Sequence, residues 1–430
     1  MRTSIVALAI AAALGSVGSL NAFAADATTT ATHPRHHKAA KSAQATAPAG
    51  PDMQAELALR DHEIAELKSA VSRLEAKVDE LEVHTDEQSV INVANAKDVE
   101  TLQTKTATVD KLDKLVNDTT IGGRVFVDIS DIEQKKNGVK TANSGDGLDV
   151  KRGYFTINHQ FNDVWSASLT TDFNYISADS ETQLFIKNLY LQGKFSDAFV
   201  FRAGAIPMAW TPYVENFYGY RYVENTLIDK QKVGNTADWG LSASGKLDGG
   251  VVDYAAAVVN GGGYKNPTRT DRMDFEGRIA FSPIKDVGIA IGGYSGDLGK
   301  ETATTKTLNT ASRGDAMIAY AHGNNRIGAE YFTASNWTPA ANLIKDKADG
   351  YSFWASYGFT DVLSMFGRYD RVKPSKDIDP SLRDKYYNLG LQWDVRKGLK
   401  VSAVYKNDDL KDMSNDQKTR EFGVFGDLSF

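Results

Sequence analysis

Cysteine is absent from all 430 residues. Disulfides, thiolate nucleophiles and cysteine-bound metals are therefore excluded. Long apolar runs are missing after the first two dozen residues. No later stretch approaches the roughly 18 consecutive apolar residues that a spanning helix needs. An excess of basic charge is missing too. The net charge is −6, and the lysines and arginines are scattered rather than striped, which argues against a nucleic-acid surface. The C-terminal three-quarters holds two histidines, His159 and His322. There is no G-x-S-x-G elbow, metal-ligand cluster or glycine-rich phosphate loop after a strand. These absences speak against an enzyme and give no case for a cofactor or metal.

What the chain does have is glycine (36), tyrosine (18) and phenylalanine (19), against only 10 prolines. That profile suits strands and turns. The mean hydropathy of −0.37 fits a soluble protein, and equally a barrel whose apolar and polar faces alternate.

Residues 1–24, with Arg2, an apolar run from Ile5 to Leu14 and the small pair Ala22 and Ala24, read as a secretory signal peptide. Residues 25–51 are low in complexity and lack large apolar side chains, as a disordered basic linker does. His33, His36 and His37 with Arg35 and Lys38 suit an anionic polymer such as a cell-wall strand, or simply water. Residues 52–118 change character. Leu57, Ile64, Val71 and Val78 recur every seven residues, with Leu67, Leu74 and Leu81 between them and Arg60 as an interruption. This spacing predicts a coiled coil over 53–84. A weaker version continues to 118 as helix or linker.

From Ile121 the period becomes two. Sixteen alternating segments are expected, at 123–130, 150–161, 164–175, 183–195, 199–206, 237–247, 250–260, 272–282, 286–295, 311–321, 324–334, 350–359, 361–370, 384–395, 398–406 and 418–430. Short turns such as "FNDV" and "FTDV" alternate with long loops at 131–149, 207–236, 296–310 and 371–383. One face carries Phe161, Trp165, Phe195, Phe199, Phe281, Phe359 and Trp393 near the short turns. It carries Tyr175, Tyr331, Tyr351, Tyr369, Tyr387 and Tyr405 near the long loops. Two aromatic girdles separated by aliphatic residues mark a lipid-facing band. The fold class expected for 119–430 is all-β, a 16-stranded antiparallel transmembrane β-barrel preceded by a periplasmic α-helical coiled coil. The alternating end "EFGVFGDLSF" is the expected closing strand, paired with the first so that no edge meets lipid. Its terminal Phe430 looks like a tag read by outer-membrane assembly machinery.

Two stretches, "DVKRGYFTINHQFNDVWSASLTTDFNYI" and "LFIKNLYLQGKFSDAFVFRAGAIPMAW", carry a family likeness. Over residues 121–430 the chain resembles the phosphate-selective porin O and P family, through Lys151–Arg152, Asp172–Phe173, Asn188–Leu191, Arg202–Ile206 and "VENTLIDK". It departs from that family at "AGAIPMAW", which lacks the family's lysine. The resemblance implies a trimeric outer-membrane porin whose third loop folds into the pore. The coiled coil resembles instead the periplasmic extension of sucrose porins. Its own Ile/Val and Leu pattern favours a dimer, while the barrel likeness favours a homotrimer, which is the expectation here.

Alternation turns Arg124, Arg152, Arg202, Arg278, Arg326 and Arg368 inward, and with them acids such as Asp128, Asp172, Glu330 and Asp370. These arginines are the expected pore-lining basic set. The loop 207–236 is the expected constriction, with Trp210, Tyr213, Glu215, Phe217, Tyr218, Tyr220, Arg221, Tyr222 and Glu224. Loops of this length are usually functional. Its aromatics would either stack on sugars or pin the loop to the wall. The function expected is passive diffusion of small hydrophilic solutes across the Gram-negative outer membrane, in contact with its lipid. Anions, phosphate-like ones included, come first. The alternatives are sugars, or a tether that grips the cell wall through residues 25–118 with a secondary pore.

Overall fold

The computed structural model describes residues 52–175, 182–301, 309–337 and 344–430. The signal segment and the basic linker, with its histidine cluster, lie outside the described residues.

Residues Asp52–Asn117 form one helix, α1. The weaker heptads after residue 84 thus continue the same helix. Along it Leu57, Ile64, Leu67, Val71, Leu74, Val78 and Leu81 are all exposed in the single chain. An apolar seam of this spacing is the kind that a partner helix covers.

Sixteen strands build the barrel wall. They are β1 (Thr119–Lys136), β2 (Gly145–Gln160), β3 (Trp165–Tyr175), β4 (Thr182–Ser196), β5 (Phe199–Pro207), β6 (Ala237–Leu247), β7 (Val252–Val259) and β8 (Asp274–Phe281), then β9 (Val287–Gly296), β10 (Ala311–His322), β11 (Asn325–Ser335), β12 (Lys347–Gly358), β13 (Leu363–Lys373), β14 (Arg383–Arg396), β15 (Leu399–Lys411) and β16 (Asp416–Ser429). Each pairs antiparallel with its sequence neighbours. β1 closes the ring on β16, in register from Arg124 opposite Ser429 to Lys136 opposite Gln417. Gly123 and Phe430 exchange both backbone hydrogen bonds at 3.0 Å, so the last residue lies in the seam. Closure leaves no unpaired edge for hydrocarbon to face.

The strand positions follow the period-two pattern closely. The first loop differs. β1 runs on to Lys136 and β2 starts at Gly145, and a two-residue strand, Val139–Lys140, pairs with Lys135 and Lys136. The expected loop 131–149 thus shrinks to 137–144. Residues 131–136 are mostly polar, so they lack the apolar signature of a membrane strand. Their ladder bonds need no apolar face once the hairpin projects beyond lipid.

The outward face is apolar. Ile279, Ile291, Ile318, Leu389 and Val424 are all exposed. The girdles flank them: Trp165 meets Phe195 edge-on at 5.7 Å, and Tyr387 lies 6.1 Å from Tyr405 at the opposite rim. Among the β-bulges of the wall, two bring an extra side chain into the lumen. One, at Val150–Gly153, brings both Lys151 and Arg152 onto lumen groups. The other, at Thr170–Thr171 opposite β4, does the same for Lys187 and Asn188. An extra residue in one strand leaves two successive side chains on one face.

If this outward face meets lipid, Leu389→Arg in the middle of β14 destabilises the barrel by about 2–4 kcal/mol. Met413→Arg, at an exposed loop tip, changes stability by less than about 0.5 kcal/mol. Urea unfolding in lipid vesicles compares the two.

Candidate functional site

Residues 208–236 leave β5 and return to β6 through the lumen. They carry two short helices, α2 (Thr211–Tyr218) and α3 (Leu227–Lys230). Gly219 ends α2 in the left-handed region, at φ 80°. A Cβ there would lie 2.7 Å from the Arg326 guanidinium, so the turn and the contact beneath it both require glycine.

The loop aromatics face the wall. Trp210, Tyr218, Tyr220 and Tyr222 are buried. Tyr220 stacks on Phe366 with centroids 4.1 Å apart, and Tyr218 meets Trp354 edge-on at 5.9 Å. The Trp210 indole N–H donates to Glu330 at 2.9 Å. The Tyr222 hydroxyl donates to Gln392 Oε1 at 2.8 Å. Gly292 makes room for this layer, since a Cβ there would fall 2.5 Å from the Trp210 ring. Tyr213 and Phe217 are half-buried and pack on each other at 5.3 Å.

Wall cations hold the loop by its carbonyl oxygens. Arg278 Nε donates to Ala209 O at 2.8 Å. Arg326 Nη1 donates to Asn216 O and Phe217 O at 2.8 and 2.9 Å. Lys151 Nζ donates to Val223 O at 2.6 Å, and Arg368 Nη1 donates to Asn225 O. Arg313 Nη1 donates to Val233 O at 2.6 Å. The same guanidinium pairs with Asp315 and Glu276 at 2.8 Å each, and Glu276 accepts the Trp210 backbone N–H at 2.9 Å. One buried ionic network thus ties both ends of the loop to β8 and β10.

Ions within the loop add to this. Arg221 pairs with Glu215 and with Asp229, the latter at 3.2 Å, and donates to the Tyr154 hydroxyl at 2.8 Å. Lys230 reaches Asp408 at 2.8 Å. Burial opposes ionisation of Glu224, but Lys406, Lys151, Lys230 and Arg368 outweigh it and hold its carboxyl down to about 2. Its charge therefore stabilises the docked loop above the ordinary carboxylate pKa. That contribution fades as pH falls from there through about 2.

The loop covers one side of the lumen only. On β8–β16 the inward residues Glu276, Phe332, Ser352, Phe366, Gln392 and Val404 are at most 2% exposed. On β2–β5 the inward residues Arg152, Tyr154, Thr156, Lys187, Gln192 and Arg202 stay partly exposed. Two cavities open there. One of 460 Å³ is lined by Arg202, Lys246, Ser242, Tyr213 and Asn216, among others. One of 380 Å³ is lined by Arg124, Tyr154, Lys187 and Asn188, among others.

The six arginines singled out in the sequence all face inward but divide by task. Arg278, Arg326 and Arg368 lie against the loop. Arg124 and Arg152 line the uncovered side, paired with Asp427 at 2.7 Å and Asp172 at 2.8 Å. Arg202 is held by Gln192 Oε1 at 2.8 Å and Ser244 Oγ at 3.1 Å, with no carboxylate within 4 Å among the described residues. The sequence reading passed over Arg313, Lys406 and Lys187. Arg313 and Lys406 share parity with Asp315 and Lys400 and were within reach of alternation. Lys187 was hidden by its bulge, because strict alternation sends it to lipid.

No family model matches the sequence, and no curated protein does. Solved structures do match. An anion-selective porin from Comamonas acidovorans aligns at 12% identity and TM-score 0.52, over 73% of this chain and 99% of that one. OmpF of Salmonella typhi, solved in complex with daunomycin, aligns at 12% identity and TM-score 0.52, over 73% and 97%. The outer membrane channel DcaP of Acinetobacter baumannii aligns at 13% identity with the same TM-score, over 73% and 97%. The fold is that of an outer-membrane porin. In this porin fold the loop inside the lumen comes between β5 and β6.

Removing Arg313 leaves Glu276 and Asp315 as buried, uncompensated charges. Arg313→Met therefore costs about 3–5 kcal/mol. Arg202→Met, with no carboxylate to strand, costs less than about 1 kcal/mol. The urea midpoints of the two variants check this ordering.

Proposed function

We propose that the protein is a passive porin of the Gram-negative outer membrane. It passes small hydrophilic solutes without catalysis or energy input, and it prefers anions. One observation carries the preference. Lys187, Arg202 and Lys246 face the uncovered side of the lumen, and no carboxylate lies within 4 Å of them among the described residues. The wall carboxylates Asp128, Asp238, Asp274 and Glu330 also lack a cation at that distance, but they are buried. The charge left facing the solute path is therefore positive, and like-signed side chains lining a pore select the opposite ion. The Arg124–Asp427 and Arg152–Asp172 pairs lean the same way, since in each the cation is the more exposed member.

The loop 207–236 acts as the constriction by narrowing the lumen from one side. Its buried tyrosines are spent on the wall, which disfavours a sugar path built on loop aromatics. Phosphate belongs among the anions this reading covers. The reading also includes a homotrimer in outer-membrane lipid, with residues 52–118 as a periplasmic coiled coil. The uncovered heptad seam of α1 supports that part.

The test is reversal potential in a salt gradient across planar bilayers, on protein cross-linked beforehand to capture a trimer. The unaltered channel should pass anions in preference to cations. Lys187→Met with Arg202→Met should move the potential toward that of an unselective pore. A cation-selective unaltered channel would sink the anion reading, and a cross-linked species no larger than a monomer would sink the trimer.

A further inference from the structure

The uncovered wall is not lined only by charge. Below Lys187 and Tyr154, toward the short turns, the inward positions of β2, β3 and β4 fall into three registered rows. Thr156, Thr170 and Asn188 form the first. Asn158, Ser168 and Tyr190 form the second, and Gln160, Ser166 and Gln192 the third. Every member is an uncharged hydrogen-bonding side chain. Elsewhere on the inner wall such positions are interrupted by charges or by buried apolar groups such as Phe332, Phe366 and Val404.

Among the described residues the Asn188, Ser168 and Tyr190 side chains make no hydrogen bond, Asn158 reaches Thr120 Oγ1 only at 3.5 Å, and Gln160 is held by the Asn162 and Trp165 carbonyls. The Thr156 and Thr170 hydroxyls bond each other at 3.1 Å, and Gln192 reaches Ser166 at 3.4 Å. The 380 Å³ cavity holds Thr156, Thr170 and Asn188 of this patch, and a further cavity of 310 Å³ holds Asn158, Ser168, Tyr190 and Gln192, with Asp118 also on its wall. Cations frame it. Lys187 and Arg124 stand at the upper edge, and Arg202 joins the third row through Gln192. Arg124 spends Nε and Nη2 on Asp427, which leaves Nη1 for a solute. The Tyr154 hydroxyl accepts from Arg221 and Lys187, so its own proton remains to be donated.

A block of hydroxyls and amides beside Lys187 and Arg202, which have no carboxylate partner among the described residues, and beside the half-exposed Arg124 matches a solute with the complementary groups. We infer that the inner face of β2–β4 is a subsite for hydroxylated organic anions, such as acidic or phosphorylated sugars. The anion is drawn by Lys187, Arg124 and Arg202. The solute's hydroxyls exchange hydrogen bonds with the three rows, and the Tyr190 ring offers a face for sugar C–H groups. This inference rests on the anion-preferring reading above and adds to it a requirement for hydroxyls.

Two probes of equal charge and ring size separate the ideas: D-galacturonate and cyclohexanecarboxylate, each titrated as a blocker of single-channel current. Galacturonate should block the unaltered channel at a concentration lower by about fivefold or more, which is what one or two net hydrogen bonds supply. Thr156→Val with Thr170→Val, a near-isosteric change, should bring the two probes within about twofold of each other. Asn158→Ala should narrow the gap in the same direction if the valine pair does not insert. Equal block of the unaltered channel by both probes overturns the subsite, and a preference that survives both variants overturns its assignment to β2–β4. The reversal potential of the unaltered channel reports separately on the anion reading. Anion selectivity with equal block leaves that reading standing without the subsite, and cation selectivity removes the basis of both.

Discussion

A peptide segment led through the inside of a barrel must find partners for its own carbonyl oxygens, because an unpaired buried backbone group costs as much as a lost hydrogen bond. In this protein wall cations meet that demand. Arg278, Arg326, Lys151, Arg368 and Arg313 each donate to a loop carbonyl between Ala209 and Val233. The path of the loop, the side of the lumen it covers and the charge left over for solute all follow from that. Cations that would otherwise line the pore on β8–β16 are consumed in holding the loop. On β2–β6 only Lys151 is spent in that way, and Arg152, Lys187, Arg202 and Lys246 are not.

The arrangement explains why a nearly balanced inner wall still carries a directional charge. Counting inward residues along the strands shows positive and negative side chains in similar number. Position separates them. The acids are either paired with a cation or buried with hydrogen-bond donors, as Glu330 is under the Trp210 indole. Several cations stay in the open strip. Burial behind the loop keeps these carboxylates out of direct contact with a passing solute, so the charged side chains it can touch on the open strip are mainly cationic.

The barrel was legible in the sequence because lipid imposes a strict rule. Every second residue of a wall strand meets hydrocarbon, so the alternation recurs in all sixteen segments, interrupted locally by bulges, and the girdle aromatics mark both ends. Where lipid stops the rule stops, and the projecting β1–β2 hairpin was read as loop. The inward direction of Arg124, Arg202 and Arg278 was equally legible. What each arginine does there was not. Arg202 and Arg278 look alike as members of alternating strands, yet one stands beside Gln192 in the open strip and the other holds Ala209. That difference depends on where a 29-residue loop lies, and alternation carries no information about it. Lys187 adds a second lesson, since a single bulge turned into the pore a cation that the period assigns to lipid.

The central claim is that the loop covers the β8–β16 side and leaves the β2–β6 side open. The absence of native cysteine makes a direct measurement available, because any introduced thiol is the only one in the chain. Ser244, partly exposed on β6, and Ser352, buried on β12, are replaced by cysteine one at a time, and each channel is treated with a small anionic thiosulfonate during current recording. The account predicts that the Ser244→Cys channel reacts and loses current while the Ser352→Cys channel is unaffected. Fast reaction at position 352 with none at 244 would contradict it.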